Sequence, residues 1–311
     1  MKILIVGIEG SSGWMKSDND NTFAFVDAFG ELEKSGDETK NWINKNCDVY
    51  ENIYEANNLF NPDFVSVCVP NFVKNDPKIE LFFIGEQIPL MISKLRLSDK
   101  KDFYALLNSA DANDSEVYIG EFYRYIPCVE TVKKIIESGE IGVPEQIRYE
   151  CGLPESTIWE WEKNYKHLSA EDLAFHHFSV LHYLVDITPK SVFGESFTPI
   201  KGGGIGGTVS SALIVTKKGC HISHNIDWHN TIRKTDHLGY IYIDGTEGGV
   251  SIEHGRVYTM KWGSTKTEIP VIEVNETSAP EKVLSGKLNE IWTVQDFKPI
   301  IDCIYSIIGE A

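Results

Sequence analysis

The sequence predicts two consecutive domains. An α/β domain on a doubly wound parallel sheet covers residues 1–120, and an α+β domain on an open mixed or antiparallel sheet with helices covers residues 121–311. Three observations carry this. Short apolar runs alternate with helical stretches as far as about residue 120, while alternating strand-like runs separated by glycine turns fill the second half. A chain of 311 residues is also longer than one ordinary core.

In the first domain, "KILIV" (2–6) is a short apolar run ending at glycine, which reads as a buried parallel strand. "TFAFVDAF" (22–29), "PDFVSVCVPN" (62–71), "IPLMISKL" (88–95) and "SEVYIGEFYR" (115–124) repeat the form, with helices expected over 51–60 and 99–110. The second domain begins with an amphipathic helix, "PCVETVKKIIESGEIG" (127–142), with lysines late and a stop at Gly139. The dipeptides Lys218-Gly219, Asp244-Gly245 and His254-Gly255 punctuate the later runs as hairpin turns, and a helix over 294–309 ends the chain.

Composition excludes several classes. Hydrophobic content of 42% and charged content of 24% are those of a folded globular chain. A net charge of −17 with no basic stripe argues against a nucleic-acid partner. The six cysteines are scattered, without a CxxC pair, as reduced buried thiols are. The apolar N-terminal run is too short for a membrane or secretory segment, so the chain reads as cytoplasmic with no membrane partner.

"VGIEGSSG" follows the first strand, where a dinucleotide loop of a Rossmann-type domain would sit. Its glycines, 7, 10 and 13, make G-x-x-G-x-x-G, with Glu9 where the second glycine of the standard fingerprint belongs. Gly7, Gly10, Ser11, Ser12 and Gly13 are therefore the candidate pyrophosphate residues, with phosphate at a helix N-terminus. Asp27, 20 residues after Gly7, stands where an acid binds a ribose hydroxyl. Only residues 14–21 separate Gly13 from the next strand, so the first helix is short or missing; the other reading is a plain glycine turn. "KGGGIGG" (201–207) leads into a strand and reads as a mobile loop, not a phosphate cradle.

"DLAFHHFSVLHYL" (172–184) places Asp172, His176, Ser179 and Tyr183 on one helical face, and Leu173, His177, Val180 and Leu184 on the neighbouring core stripe. His176 and His177 diverge by about 100° on a helix, and no third ligand is spaced to complete a metal site, so no metal is expected.

The order of these segments resembles the Gfo/Idh/MocA family of glucose–fructose oxidoreductase, inositol dehydrogenase and their relatives, over residues 2 to 310 and most specifically over 121–142. The resemblance implies a dinucleotide-binding domain, a substrate-binding and oligomerisation domain, NAD(P)-linked chemistry on a sugar-like substrate, and a homodimer or homotetramer. It aligns "ISKL" with the family's Glu-Lys-Pro motif, keeping Lys94 but with Ser93 and Leu95 as neighbours. "DLAFH" aligns with Asp-x-Gly-x-His, giving Asp172 and His176 the catalytic positions, with Ala174 for the glycine and Ser179 for a later acid. Pro70-Asn71 matches the segment along the nicotinamide, with Lys74 where a histidine is often found.

These residue types suit alcohol oxidation. An imidazole is the side chain suited to exchanging protons near neutral pH, so His176 would take the hydroxyl proton. Asp172 would orient it or bind a hydroxyl, and Lys94 would stabilise oxyanion charge beside the cofactor. Arg124, Tyr125, Trp159 and His177 are the candidate substrate contacts. Asp27 favours NAD over NADP, because it would repel a 2′-phosphate. A different class of function is also open: a catalytically inactive descendant that binds a sugar derivative or a protein partner.

Overall fold

The computed structural model describes residues 1–311 other than 9–10, 17–19, 69–76, 96–98, 155–156, 159, 201–204 and 310–311. The chain forms two compact units, Met1–Glu121 with Ser278–Asp296, and Phe122–Thr277 with Phe297–Ala311. The segment 278–296, read from sequence as part of the second domain, thus clusters with the first.

Six parallel strands build the first unit: β1 (Lys2–Val6), β2 (Thr22–Val26), β3 (Cys47–Tyr50), β4 (Phe64–Val67), β5 (Leu90–Ile92) and β6 (Val117–Ile119). Their order is β3-β2-β1-β4-β5-β6, the doubly wound order of a Rossmann-type sheet, with the reversal between β1 and β4. Consecutive residues Ile3 to Val6 are all fully buried, so both faces of β1 are covered, which explains an unbroken apolar run in place of alternation. Helices α1 (Asp37–Asn46), α2 (Ile53–Phe60), α3 (Lys78–Gly85) and α4 (Lys100–Asn113) make the connections. Asn52 caps α2 by accepting from Tyr54 N and Glu55 N at 3.1 and 2.9 Å, and Asp99 caps α4 from Lys101 N at 2.8 Å.

The second unit is an eight-stranded sheet of β7 (Pro144–Gly152), β8 (Pro189–Phe197), β9 (Val209–Thr216), β10 (His221–Asp227), β11 (Tyr240–Gly245), β12 (Gly248–Glu253), β13 (Arg256–Lys261) and β14 (Thr267–Ile269). Its order is β14-β13-β12-β11-β7-β10-β9-β8; β7 and β10 pair in parallel and every other neighbour is antiparallel. The expected turns at Lys218-Gly219 and His254-Gly255 form. The third lies two residues later, at Thr246-Glu247. Gly245 stays in β11 because its α-carbon abuts Ile141 O, where a Cβ would stand at 2.3 Å.

Packed in this unit are α5 (Pro127–Glu137), which ends before a left-handed Gly139, and α6 (Ala174–Val185). The chain then returns to the first unit, where α7 (Ala279–Leu284) meets the turn after β1 and Thr293 bridges antiparallel to Tyr118 of β6. It ends in the second unit with α8 (Lys298–Ile307), a shorter helix than the 294–309 expected. No helix of the described residues is long and apolar enough to cross a membrane.

Between α6 and the sheet lies a buried imidazole pair. His177 Nε2–H donates to His237 O at 2.8 Å, which leaves His177 Nδ1 to accept from His224 Nε2–H at 3.1 Å. Both rings are fully buried, His177 stacking on Tyr149 with centroids 4.3 Å apart. Burial holds His224 down at about 3, and burial followed by the neighbouring His224 holds His177 well below its usual value. Between pH 6.5 and about 3 the unfolded chain therefore binds protons that the folded core refuses, and stability falls as pH is lowered through that window. Each such histidine steepens the fall by up to about 1.4 kcal/mol per pH unit. Urea midpoints measured from pH 7 to pH 4 are expected to show a shallower slope in His224→Gln than in the native chain; an unchanged slope would assign the proton uptake to other groups.

Candidate functional site

In the first unit the candidate residues gather at the carboxyl ends of the parallel strands. Gly7 leaves β1 at φ +84, donates its N–H to Val26 O of β2 at 3.0 Å, and lies so close to Cys68 that a Cβ would stand 2.3 Å from that carbonyl oxygen. Only glycine meets both demands. Asp27, the residue after β2, is half-buried, and its carboxylate accepts from Glu31 N at 2.8 Å and Leu32 N at 3.3 Å. Those bonds fix the group and leave lone pairs for a ribose hydroxyl.

The turn after Gly7 is not a phosphate-binding α-helix. Ser11–Lys16 form a single 3-10 segment in which Ser11 is buried and Ser12 exposed. Its centre is Trp14, fully buried, with Nε1–H donating to Ser66 Oγ at 3.0 Å and its ring 6.1 Å from Phe64. Gly13 packs on α7, where a Cβ would fall 2.8 Å from Pro280 Cγ, and Lys16 pairs with Glu281 at 2.6 Å. Gly13, expected at the pyrophosphate, is thus a packing glycine, because Pro280 fills the space beside it. Gly10, Pro70 and Asn71, with Glu9 and Lys74, lie outside the described residues. Lys94 follows β5 and is half-buried; Ser93 N donates to Val67 O at 3.0 Å, which ties the end of β5 to β4.

In the second unit the helix carrying Asp172 and His176 is not uniform. A π turn, Ser169–Leu173, precedes α6, with Ala174 N–H bonded back to Ser169 O. Asp172 sits in the π turn, 8% exposed, and His176 in the first turn of α6, half-buried. His176 stacks on Tyr123, rings 4.5 Å apart and 15° from parallel, with Phe122 at 5.7 Å and Phe175 at 5.3 Å. That aromatic shelf restricts the imidazole plane. Ser179, predicted on the Asp172 face, is fully buried.

Of the four expected substrate contacts, three are buried in packing and one lies outside the described residues. His177 is a correction: it is fully buried against His224 and Tyr149, its ring nitrogens engaged, with no surface for a ligand. Arg124 and Tyr125 are 1% and 4% exposed, the guanidinium donating to Tyr125 Oη at 2.8 Å, so they belong to the packed turn that carries Tyr123. Trp159 lies outside the described residues. Tyr123 is the residue that sequence reading passes over, although it stands in the same "EFYRYIP" segment. Among the described residues no three His, Cys, Asp or Glu side chains converge as metal ligands.

The fold is that of a two-domain protein, a doubly wound parallel sheet followed by a mixed sheet with helices. Residues 129–251 match the family model of the GFO/IDH/MocA C-terminal domain, so this segment belongs to that domain family and the chain has the two-domain Gfo/Idh/MocA fold, as the sequence resemblance implies. No curated protein matches the sequence. Among solved structures, an oxidoreductase from Agrobacterium radiobacter in complex with NAD+, L-tartaric acid and magnesium is 16% identical with a TM-score of 0.82, covering 100% of this chain and 96% of its own. The aldose-aldose oxidoreductase from Caulobacter crescentus complexed with glycerol is 15% identical, TM-score 0.77, covering 100% and 98%. An inositol dehydrogenase homolog complexed with NADH and myo-inositol, from Azotobacter vinelandii, is 13% identical, TM-score 0.74, covering 100% and 95%.

Gly7→Ala is expected to destabilise the first unit by more than about 2 kcal/mol, since it adds left-handed strain to a backbone clash. Ser66→Ala keeps the packing of the indole, removes the acceptor of the Trp14 N–H, and should cost about 1 kcal/mol. Urea unfolding of the two variants checks the order; equal losses would show that the Cys68 contact relaxes freely.

Proposed function

We propose that the protein is an NAD(P)-dependent oxidoreductase acting on a secondary alcohol or carbonyl of a sugar, cyclitol or sugar derivative. The observation that carries this reading is the grouping of Gly7, Asp27 and Lys94 at the carboxyl ends of β1, β2 and β5, beside the reversal in strand order where open α/β sheets bind ligands. Gly7 brings the backbone close at the strand end, and the fixed Asp27 carboxylate suits ribose hydroxyls, so this donor set fits a nicotinamide dinucleotide. The negative charge of Asp27 favours NAD over NADP. When bound, a nicotinamide cofactor supplies the hydride acceptor or donor.

The chain's own residues handle the proton and the charge. His176, its plane set by Tyr123, takes the hydroxyl proton at a ring nitrogen in the oxidative direction and returns it in the reductive one. Asp172, in the preceding turn, binds a substrate hydroxyl or orients the imidazole. Lys94 stabilises negative charge on the substrate oxygen. The bound tartrate, glycerol and inositol of similar structures support a small polyhydroxylated substrate, and the family resemblance supports a homodimer or homotetramer.

A thermal-shift titration with NAD, NADH, NADP and NADPH tests the cofactor. A ligand at 100 times its dissociation constant adds about 2.7 kcal/mol, a shift of a few degrees. The NAD pair is expected to give the larger shift. His176→Ala should keep that shift and lose about 10²- to 10⁴-fold in turnover of sugars or cyclitols. No shift with any of the four, in a folded protein, would transfer the reading to a binding protein without turnover.

A further inference from the structure

The last residues of the glycine cluster make contacts that their sequence does not announce. Gly206 O accepts from Leu168 N at 3.1 Å, and Gly207 O accepts from Ser169 N at 2.8 Å and from Ser169 Oγ at 2.7 Å. These donors stand at the start of the π turn, where a helix leaves N–H groups without intrahelical partners. Ser169 is fully buried, so its bonds to Gly207 O are shielded from water. The approach is close: a Cβ on Gly206 would lie 2.5 Å from Lys166 O, and one on Gly207, at φ +53, 2.5 Å from His167 Cα. Gly207 N–H in turn donates to Thr198 Oγ1 at 2.9 Å, just past the end of β8.

We propose that Gly206 and Gly207 form a positioning clamp, which holds the π turn in place and so sets Asp172 relative to His176. The roles of those two residues rest on the function proposed above; the clamp itself rests on the contacts. The change from π to α geometry falls between Asp172 and His176. A π turn is one residue inserted into an α-helix, and its relaxation would rotate everything before it by about 100° around the axis. Relaxation would therefore change the angle at which Asp172 stands to His176. The glycines are required because any side chain would push the carbonyls off Leu168 and Ser169.

Gly207→Ala tests the clamp against Gly219→Ala, which carries a similar left-handed strain (φ +90) in the β9–β10 turn with open space around its α-carbon. At a comparable loss of Tm, Gly207→Ala is expected to lose at least about tenfold in kcat relative to Gly219→Ala, with NAD and NADP dissociation constants unchanged. Ser169→Ala, which deletes one bond and no backbone, should fall in the same direction, and it carries the comparison should Gly207→Ala not fold. Equal kcat in the glycine variants, or a kcat loss matched by a loss of cofactor affinity, overturns the clamp. Should the native chain turn over no alcohol, the proposed function fails and the clamp is read from the ring ¹H–¹³C signals of His176. They should move in Gly207→Ala and Ser169→Ala and stay put in Gly219→Ala; unmoved signals overturn it.

Discussion

The first unit depends on how β1 is held between its two parallel neighbours. At its carboxyl end Gly7 N–H bonds to Val26 O on one side, and Cys68 N–H bonds to Val6 O at 2.7 Å on the other. These two bonds carry both ladders one residue past the strands and bring the exits of β1, β2 and β4 together. Everything chemical in this unit is measured from that point: the turn to Trp14, the Asp27 carboxylate, and through the β4–β5 tie at Ser93, the placement of Lys94. The Gly7–Cys68 contact leaves no room for a side chain, so the constraint acts directly on sequence.

The same exit shows how the fold compensates for a missing helix. A full helix after β1 would cover the sheet and bring its N-terminus to a phosphate. Here a 3-10 segment of six residues takes its place, and its cover comes from a buried tryptophan and from a helix over 200 residues later in the chain. Gly13 serves that contact, since α7 could not approach a larger residue there. The return of 278–296 to the first unit is thus the counterpart of the short turn after β1.

Much of this was legible in the sequence where burial is uniform and the elements are long. The continuous apolar strands β1, β2 and β4, the amphipathic α5 and the apolar helix with Asp172 and His176 all stand out. What was missed has physical reasons. "CDVY" of β3 is an edge strand with exposed Asp48 and Val49, so it lacks the apolar run that marks its neighbours. "KIELFFIG" of α3 is apolar around most of its circumference and shows no clear stripe. The candidate site was legible only in part. Asp172, His176 and Lys94 come from motif order, whereas Tyr123, Gly206 and Gly207 act through contacts between segments about 40 or more residues apart, which no local pattern carries.

The neighbouring histidines show why placement decides more than residue type. His176 and His177 share a helix and point about 100° apart. That angle sends His177 into the core, where desolvation disfavours its charged form and both ring nitrogens are committed to His224 and His237. A group so held cannot exchange a proton with a ligand. His176 is half-buried on its shelf of Tyr123 and Phe122 and stays partly accessible. The buried pair also anchors α6 to the sheet through His224 of β10, so His177 fixes the rotation of the helix that carries His176. A change that unseated His177 would therefore reach His176 without touching it, because the helix can turn only as a unit.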